Sequence, residues 1–330
     1  MKHTVEPRTR GAAPTRRLSV GSLGSRYGLF VAWALVIVVY GFLVGDLFLQ
    51  PRNFQTILSE RSILLILTLG MLPGLAAGEY DLSVASTMGI SFVLVGWLNI
   101  VHDWPIVPTV LVALAAALLV GVVNAFVIVV LDVLSIVATL GMGTLLAGAA
   151  LGINNLIVAG VSDGLVNAAR FKVLGLQAIF YYALLFTLLL WYVFRFTPLG
   201  RYIYFVGLGR DVARLTGIRV NAIRAGTLIT GSVIAGIAGI LLAGRNGSVD
   251  PSFAPGLLLP AFAGAFLGAT TITPGRFNPW GTFIAVYFLA TGINGLQLMG
   301  ITGWVEQAFF GGALIIGVVI SRLAARRAVT

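Results

Sequence analysis

Residues 106–130 read IVPTVLVALAAALLVGVVNAFVIVV, twenty-five positions without a charge. A helix needs about 20 apolar residues to cross the hydrocarbon of a bilayer, so this stretch predicts a transmembrane helix. Comparable runs recur at 28–49, 57–77, 84–101, 134–158, 176–196, 223–243, 257–272, 280–297 and 304–322. The chain of 330 residues is 58% hydrophobic and 10% charged, with a mean hydropathy of +1.01. A soluble domain carries about 25% charged residues. The reading is therefore an all-α integral membrane protein with about ten transmembrane helices, within a range of 8–10. The runs at 84–101, 257–272 and 280–297 are short and rich in Gly, Ser or Thr. Tilted, broken or partly spanning helices are expected there.

Residue counts remove several chemistries. There is no cysteine, and the two histidines are His3 and His102, so neither a thiolate nucleophile nor a Cys/His metal cluster can be built. The two lysines, Lys2 and Lys172, lie in no phosphate-binding Gly-rich loop. The chain is thus read as non-catalytic, with no nucleotide, metal or other cofactor site of its own. The net charge of +10 sits in arginines beside apolar runs. That placement suits anionic membrane lipid and argues against nucleic acid.

The same arginines orient the chain, because cytoplasmic loops attract Lys and Arg. Residues 1–26 hold Lys2, Arg8, Arg10, Arg16, Arg17 and Arg26 against Glu6, and are expected to form a disordered basic cytoplasmic tail. Residues 27–330 form the membrane domain. Its longest polar stretch, 197–222, holds Arg201, Arg210, Arg214 and Arg219, and the C-terminus holds Arg322, Arg326 and Arg327. Six spans before 197–222 and four after it put both termini and this loop in the cytoplasm. The 159–175 loop, with Arg170 and Lys172, is then external.

The loop reads TPLGRYIYFVGLGRDVARLTGIRVNA. Pro198 and Gly200 are expected to stop the preceding helix, and Gly207 and Gly209 to form a break. A short amphipathic helix should follow around Asp211–Leu215, closed by Gly217. Two uses fit it: an interfacial connector anchored by its arginines, or a docking element for a soluble partner. The docking candidates are Arg210, Asp211, Ala213, Arg214, Leu215 and Gly217.

Two Gly-rich stretches interrupt apolar runs, GEYDLSVASTMG at 78–89 and GATTITPGRFNPWG at 268–281. They are read as corresponding points of an internal parallel repeat, a common transporter device. Translocation-path or gate candidates are Glu79, Asp81, Ser83, Asn124, Asn154 and Asn294. For Glu79 and Asp81 the plainer reading is a place at the cytoplasmic water interface, with Asp81 capping the helix beginning near Leu82. For the amides it is bridging between helices.

These motifs resemble the permease subunits of ribose-type sugar ABC importers, a family that also covers arabinose, xylose, galactose and autoinducer-2 systems. Gly78–Gly89 is similar to the family's Gly-Gly-x-Asp-Leu-Ser-Val-Gly element. In the 197–222 loop Gly200, Arg201, Ala213, Arg214, Gly217 and Ile218 fall where the family has them. The resemblance runs from about residue 30 to the C-terminus. Glu79 and Ala85 depart from it, each standing where the family has glycine, and Pro274 and Phe277 alter the second stretch.

The resemblance implies the membrane-spanning subunit of an importer in the bacterial inner membrane, moving a pentose or hexose. A second permease chain, identical or paralogous, would complete the path. An ATP-binding cassette subunit would hold ATP and Mg and dock near Asp211–Gly217. A periplasmic or lipid-anchored binding protein would deliver the sugar. Two alternatives stand beside it. One is an ion-coupled secondary transporter using Glu79, Asp81 or Asp132. The other is an ABC permease for nucleosides or branched-chain amino acids.

Overall fold

The structure, a computed structural model, describes residues 20–327, with side chains described for 27–321. It is helical almost throughout. In chain order the helices are α1 Val20–Val44, α2 Asp46–Leu49, α3 Pro51–Glu60, α4 Ser62–Ala76, α5 Val84–Val95, α6 Ile106–Ala125, α7 Ser135–Ile153, α8 Asp163–Arg170, α9 Ala178–Phe196, α10 Pro198–Leu208, α11 Arg210–Leu215, α12 Val220–Asn246, α13 Leu258–Gly268, α14 Pro279–Leu298 and α15 Trp304–Arg327. α5 and α6 continue as π-helical turns, Gly96–Val101 and Phe126–Val130. Two small antiparallel pairs complete the regular structure. β1 Val158–Ala159 pairs with β4 Ser248–Val249, and β2 Lys172–Val173 pairs with β3 Leu176–Gln177.

Among the described residues, eight helices are long and apolar enough to cross a membrane alone: α1, α5, α6, α7, α9, α12, α14 and α15. The pair α3–α4, bent by 40°, passes the same test when taken together, as a broken span or a re-entrant loop. The shorter apolar helix Ala254–Gly268, which contains α13, makes a tenth element. Two expectations are corrected. The runs at 84–101 and 280–297 are full-length helices, and the broken one is 57–77. The break falls at Glu60 and Arg61, whose charges pair with Arg245 and Glu306 rather than continuing an apolar face. The expected tail, 1–26, lies mostly outside the described residues, and its last part, 20–26, is the start of α1.

The two short helices are tolerated because protein surrounds them. Every residue of α4 is buried, and so is α13 from Pro260 on apart from the half-buried Phe266. Backbone that ends inside a membrane must be satisfied by protein rather than lipid. The long helix α12 is the hub, packing on α4, α5, α6 and α8. Its Gly/Ala-rich face allows this: a Cβ on Gly231 would lie 2.9 Å from the Gly70 carbonyl oxygen, and one on Gly239 would overlap the Met88 carbonyl. Close approach through small residues is the usual substitute for a hydrophobic drive between helices in lipid. α13, α14 and α15 form a second group, which touches the first through α4.

Both ends of the described chain reach the same face. Gly28 and Leu29 of α1 share an apolar cavity of about 600 Å³ with Thr270, Pro274 and, from late α15, Ile316 and Ile320. The opposite face carries the β pairs, α8 and the ion pairs Glu60–Arg245 and Arg61–Glu306.

Candidate functional site

The 197–222 loop and both Gly-rich breaks meet at one end of the bundle. Thr197 caps α10 by accepting from the Gly200 amide, and Pro198 occupies its first turn, where a missing N–H costs nothing. The preceding helix stops as expected, and the segment after it is itself a helix. Gly200 and Gly207 lie inside α10. A Cβ on Gly200 would overlap the Val193 carbonyl, and one on Gly207 would overlap the Ala76 carbonyl. The break falls at Gly209 alone, ahead of α11.

α11 forms as expected and ends at Gly217, whose φ is +81°. The Gly217 and Ile218 amides donate back to Arg214 and Ala213 at 3.0 and 3.2 Å, closing the helix in the manner of an αL cap. Ala213 is its anchor, buried with Val206 and Val220. Val212 and Leu215 point outward, and Leu215 is 88% exposed. Arg214 is exposed, 3.6 Å from Asp211. Arg210 does not share that exposed face. It turns inward and its Nη2 donates to Glu79 at 2.7 Å.

Glu79 belongs to the first break, 77–83. Gly78 adopts φ +81°, and the Glu79 amide donates to the Gly74 carbonyl at 2.8 Å. The Glu79 side chain is 1% exposed. Its Oε1 also accepts from Nε of Arg224, a buried residue in the first turns of α12. Three other candidates form one network beside it. Asp81 Oδ1 accepts from Ser83 N at 2.8 Å and from Ser83 Oγ at 2.6 Å. Ser83 Oγ accepts from Asn124 Nδ2 at 2.9 Å. Asp81 thus closes a turn onto Ser83, the N-cap residue of α5. From α7, Ser135 and Thr139 accept the Tyr80 and Leu82 amides at 3.3 and 2.9 Å.

The second break, 269–278, resembles the first: Gly275, with φ +83°, stands where Gly78 stands. Glu79, Tyr80 and Asp81 then match Arg276, Phe277 and Asn278. Asn278 Oδ1 accepts the Gly281 amide at 2.7 Å, capping α14, whereas Asp81 turns onto Ser83 just ahead of α5. Phe266 joins the breaks, stacked on Tyr80 with ring centroids 6.5 Å apart and edge-on to Phe277 at 5.2 Å. α10 touches both breaks. Gly207 packs on the first, Tyr204 Oη donates to the Phe277 carbonyl, and Arg276 lies 5.7 Å from the Tyr204 ring centroid.

Asn154 and Asn294 lie apart from this cluster. Asn154 ends α7 and bonds locally to Leu156 at 2.8 Å. Asn294 sits late in α14, its Oδ1 buried without a hydrogen-bond partner. Asp132 is exposed in the turn after α6. Arg224, Tyr204, Asn278 and Arg276 were not singled out in the sequence. Arg224 carried a usable signal, being an arginine within an apolar run, a placement that costs free energy unless paired.

The family described as branched-chain amino acid transport system / permease component matches residues 53–319. The chain is similar to the D-allose transport system permease protein of Escherichia coli (strain K12), at 25% identity over 299 residues, 90% of this chain and 92% of the relative. It is similar to the ribose import permease protein of Bacillus subtilis (strain 168), at 28% identity over 91% of this chain and 92% of the relative. It is 30% identical to an autoinducer 2 import system permease protein of Salmonella typhi, over 88% of this chain and 84% of the relative. No solved structure matches.

Proposed function

The chain belongs to the branched-chain amino acid transport system / permease component family, and from that premise we propose that it is the membrane-spanning subunit of an ATP-driven monosaccharide importer in a bacterial inner membrane. The cargo class is supported by the relatives, which are named for D-allose, ribose and autoinducer 2 transport. An external binding protein delivers the sugar. A second permease chain, identical or paralogous, completes the path. A partner ATPase holds ATP and Mg.

The observation that carries this reading is the placement of α11. Its Val212, Arg214 and Leu215 are exposed, while Ala213 fixes it to α10 and α12. α10 in turn contacts both membrane breaks. A partner that pulls on α11 therefore acts on the two places where helices are interrupted. In this reading 197–222 is the docking loop and the face bearing the breaks is cytoplasmic, with Asp81, Ser83 and Asn124 shaping the inner gate. Residues 27–330 act as one permease domain.

Ion-coupled transport has less support. Its coupling site would have to be an available intramembrane acid; Glu79 is engaged by two arginines, Asp81 is held by two bonds from Ser83 and Asp132 is exposed. The test is purification of the tagged chain from its native host in mild detergent, with mass spectrometry of what accompanies it. An ATP-binding protein is the expected companion. The ligand of a co-purified binding protein, read by thermal shift, separates a sugar from a nucleoside or an amino acid. A chain free of any ATPase yet active in liposomes under an ion gradient would overturn the proposal.

A further inference from the structure

We propose that Glu79 is the positioning residue through which movement of α11 reaches the first membrane break. This rests on the reading of α11 as the docking helix for an ATPase. Glu79 is held on three sides. Its backbone bonds to the end of α4 through Gly74, and its carboxylate takes Arg210 of α11 and Arg224 of α12. The two arginines differ in access. Arg224 is nearly sealed, whereas the Arg210 side chain is 41% exposed. One partner is thus fixed in the core and the other moves with the docking segment.

Both arginines use the same carboxylate oxygen. Glu79 Oε2 is buried without a hydrogen-bond partner. A carboxylate offers about four acceptor sites on two oxygens, and leaving one oxygen dry and unpaired is costly. The arrangement therefore holds a second position in reserve. Displacement of α11 carries Arg210 from Oε1 to Oε2 while Arg224 stays in place. The Gly78–Asp81 turn is then drawn with α11 and not left behind. Enclosure by two guanidinium groups also keeps Glu79 from binding cargo. Its work is mechanical, and Asp81 and Ser83, two and four residues on, carry the movement into α5 through the turn they form.

The natural chain has no cysteine, so single-cysteine reporters can be placed on the intact complex with its co-purified ATPase. Thr216→Cys, just after α11, reports the docking segment, and Tyr80→Cys reports the break. Each is labelled with an environment-sensitive fluorophore, and a non-hydrolysable ATP analogue is added. With Glu79 in place both reporters respond. In Glu79→Gln the Thr216 reporter still responds, and the Tyr80 response falls at least about fivefold, the lower end of usual coupling factors. Arg210→Gln gives the same separation, the double variant adds nothing further, and Arg210→Lys restores the break response. A purely structural role would leave the two reporters linked and would not single out the charge.

A native-size Tyr80 response in Glu79→Gln overturns the proposal, as do effects that multiply in the double variant. If Glu79→Gln does not reach the membrane, the comparison of Arg210→Gln with Arg210→Lys decides by the same readout. A silent Thr216 reporter in the otherwise native complex overturns the docking reading itself, and with it this inference.

Discussion

Gly207 of α10 packs directly on the carbonyl oxygen of Ala76, the last residue of α4, with no room for a Cβ between them. Gly78, two residues on, faces the Gly207 Cα at 3.9 Å from where its own Cβ would stand. The docking loop and the first membrane break are therefore in backbone contact. Side chains are absent from this joint, so it holds α10 against the end of α4, while the link from α11 to the break runs through the Glu79 carboxylate.

Gly207→Ala should destabilise the protein by about 1–3 kcal/mol, the usual penalty for forcing a methyl into a packed contact. Gly226→Ala is the matched control. It also lies within a helix but has open space around its Cβ direction. There the change should be neutral or gain up to about 1 kcal/mol of helix propensity. Thermal unfolding of both variants in the same detergent measures the difference. Equal midpoints would mean that the Ala76 contact gives way freely.

Ser83→Ala removes the hydroxyl that joins Asp81 to Asn124. It leaves the Asn124 amide without its acceptor and Asp81 with the backbone bond alone. A buried polar group stripped of its partner costs about 1–3 kcal/mol. The loss should appear as faster hydrogen exchange over the first turn of α5, with α12 unchanged. Uniform exchange across both helices would show that this turn is not what holds α5.

The membrane class was legible because apolar runs of bilayer length need no tertiary information, and the short helix at 210–215 because Asp211 and Gly217 mark its ends locally. The bend between α3 and α4 was not. Glu60 and Arg61 read as the flank of a run, and their partners Arg245 and Glu306 lie far along the chain. The two Gly-rich stretches were legible as a pair, but 270–274 lengthen the second, so the match of Gly78 with Gly275 shows only in their shared positive φ. Choosing amides by residue type found Asn124, which joins the network, but also Asn154 and Asn294, which do not. No spacing rule could pair Glu79 with Arg210, since a buried carboxylate announces its partners only in three dimensions.

Arg214→Glu should abolish or strongly weaken co-purification of the ATPase while leaving the chain folded in the membrane. Arg214 is exposed, and among the described residues it pairs with Asp211 on the same short helix and donates to Asn221 at 3.5 Å, also at the surface. An exposed pair of this kind contributes about 0–1 kcal/mol, so folding should not notice its loss. An interface that reads the charge would. Quantitative pull-down against the native chain, with gel filtration to confirm a single folded species, measures both. Full recovery of the ATPase would move the docking surface away from α11.

The two faces of the bundle can be told apart in whole cells. Leu174, at the tip of the β2–β3 hairpin, is 91% exposed, and Thr216 is exposed at the opposite face. If the arginine-rich loop is cytoplasmic, Leu174→Cys should react with a membrane-impermeant maleimide added to intact cells. Thr216→Cys should react only after the membrane is opened. Neither background needs cysteine removal, because the chain has none. The reverse pattern would put α11 outside, where no ATP-binding subunit could reach it. The charge bias that orients the chain would then have been outweighed, with Arg170 and Lys172 on the inner side.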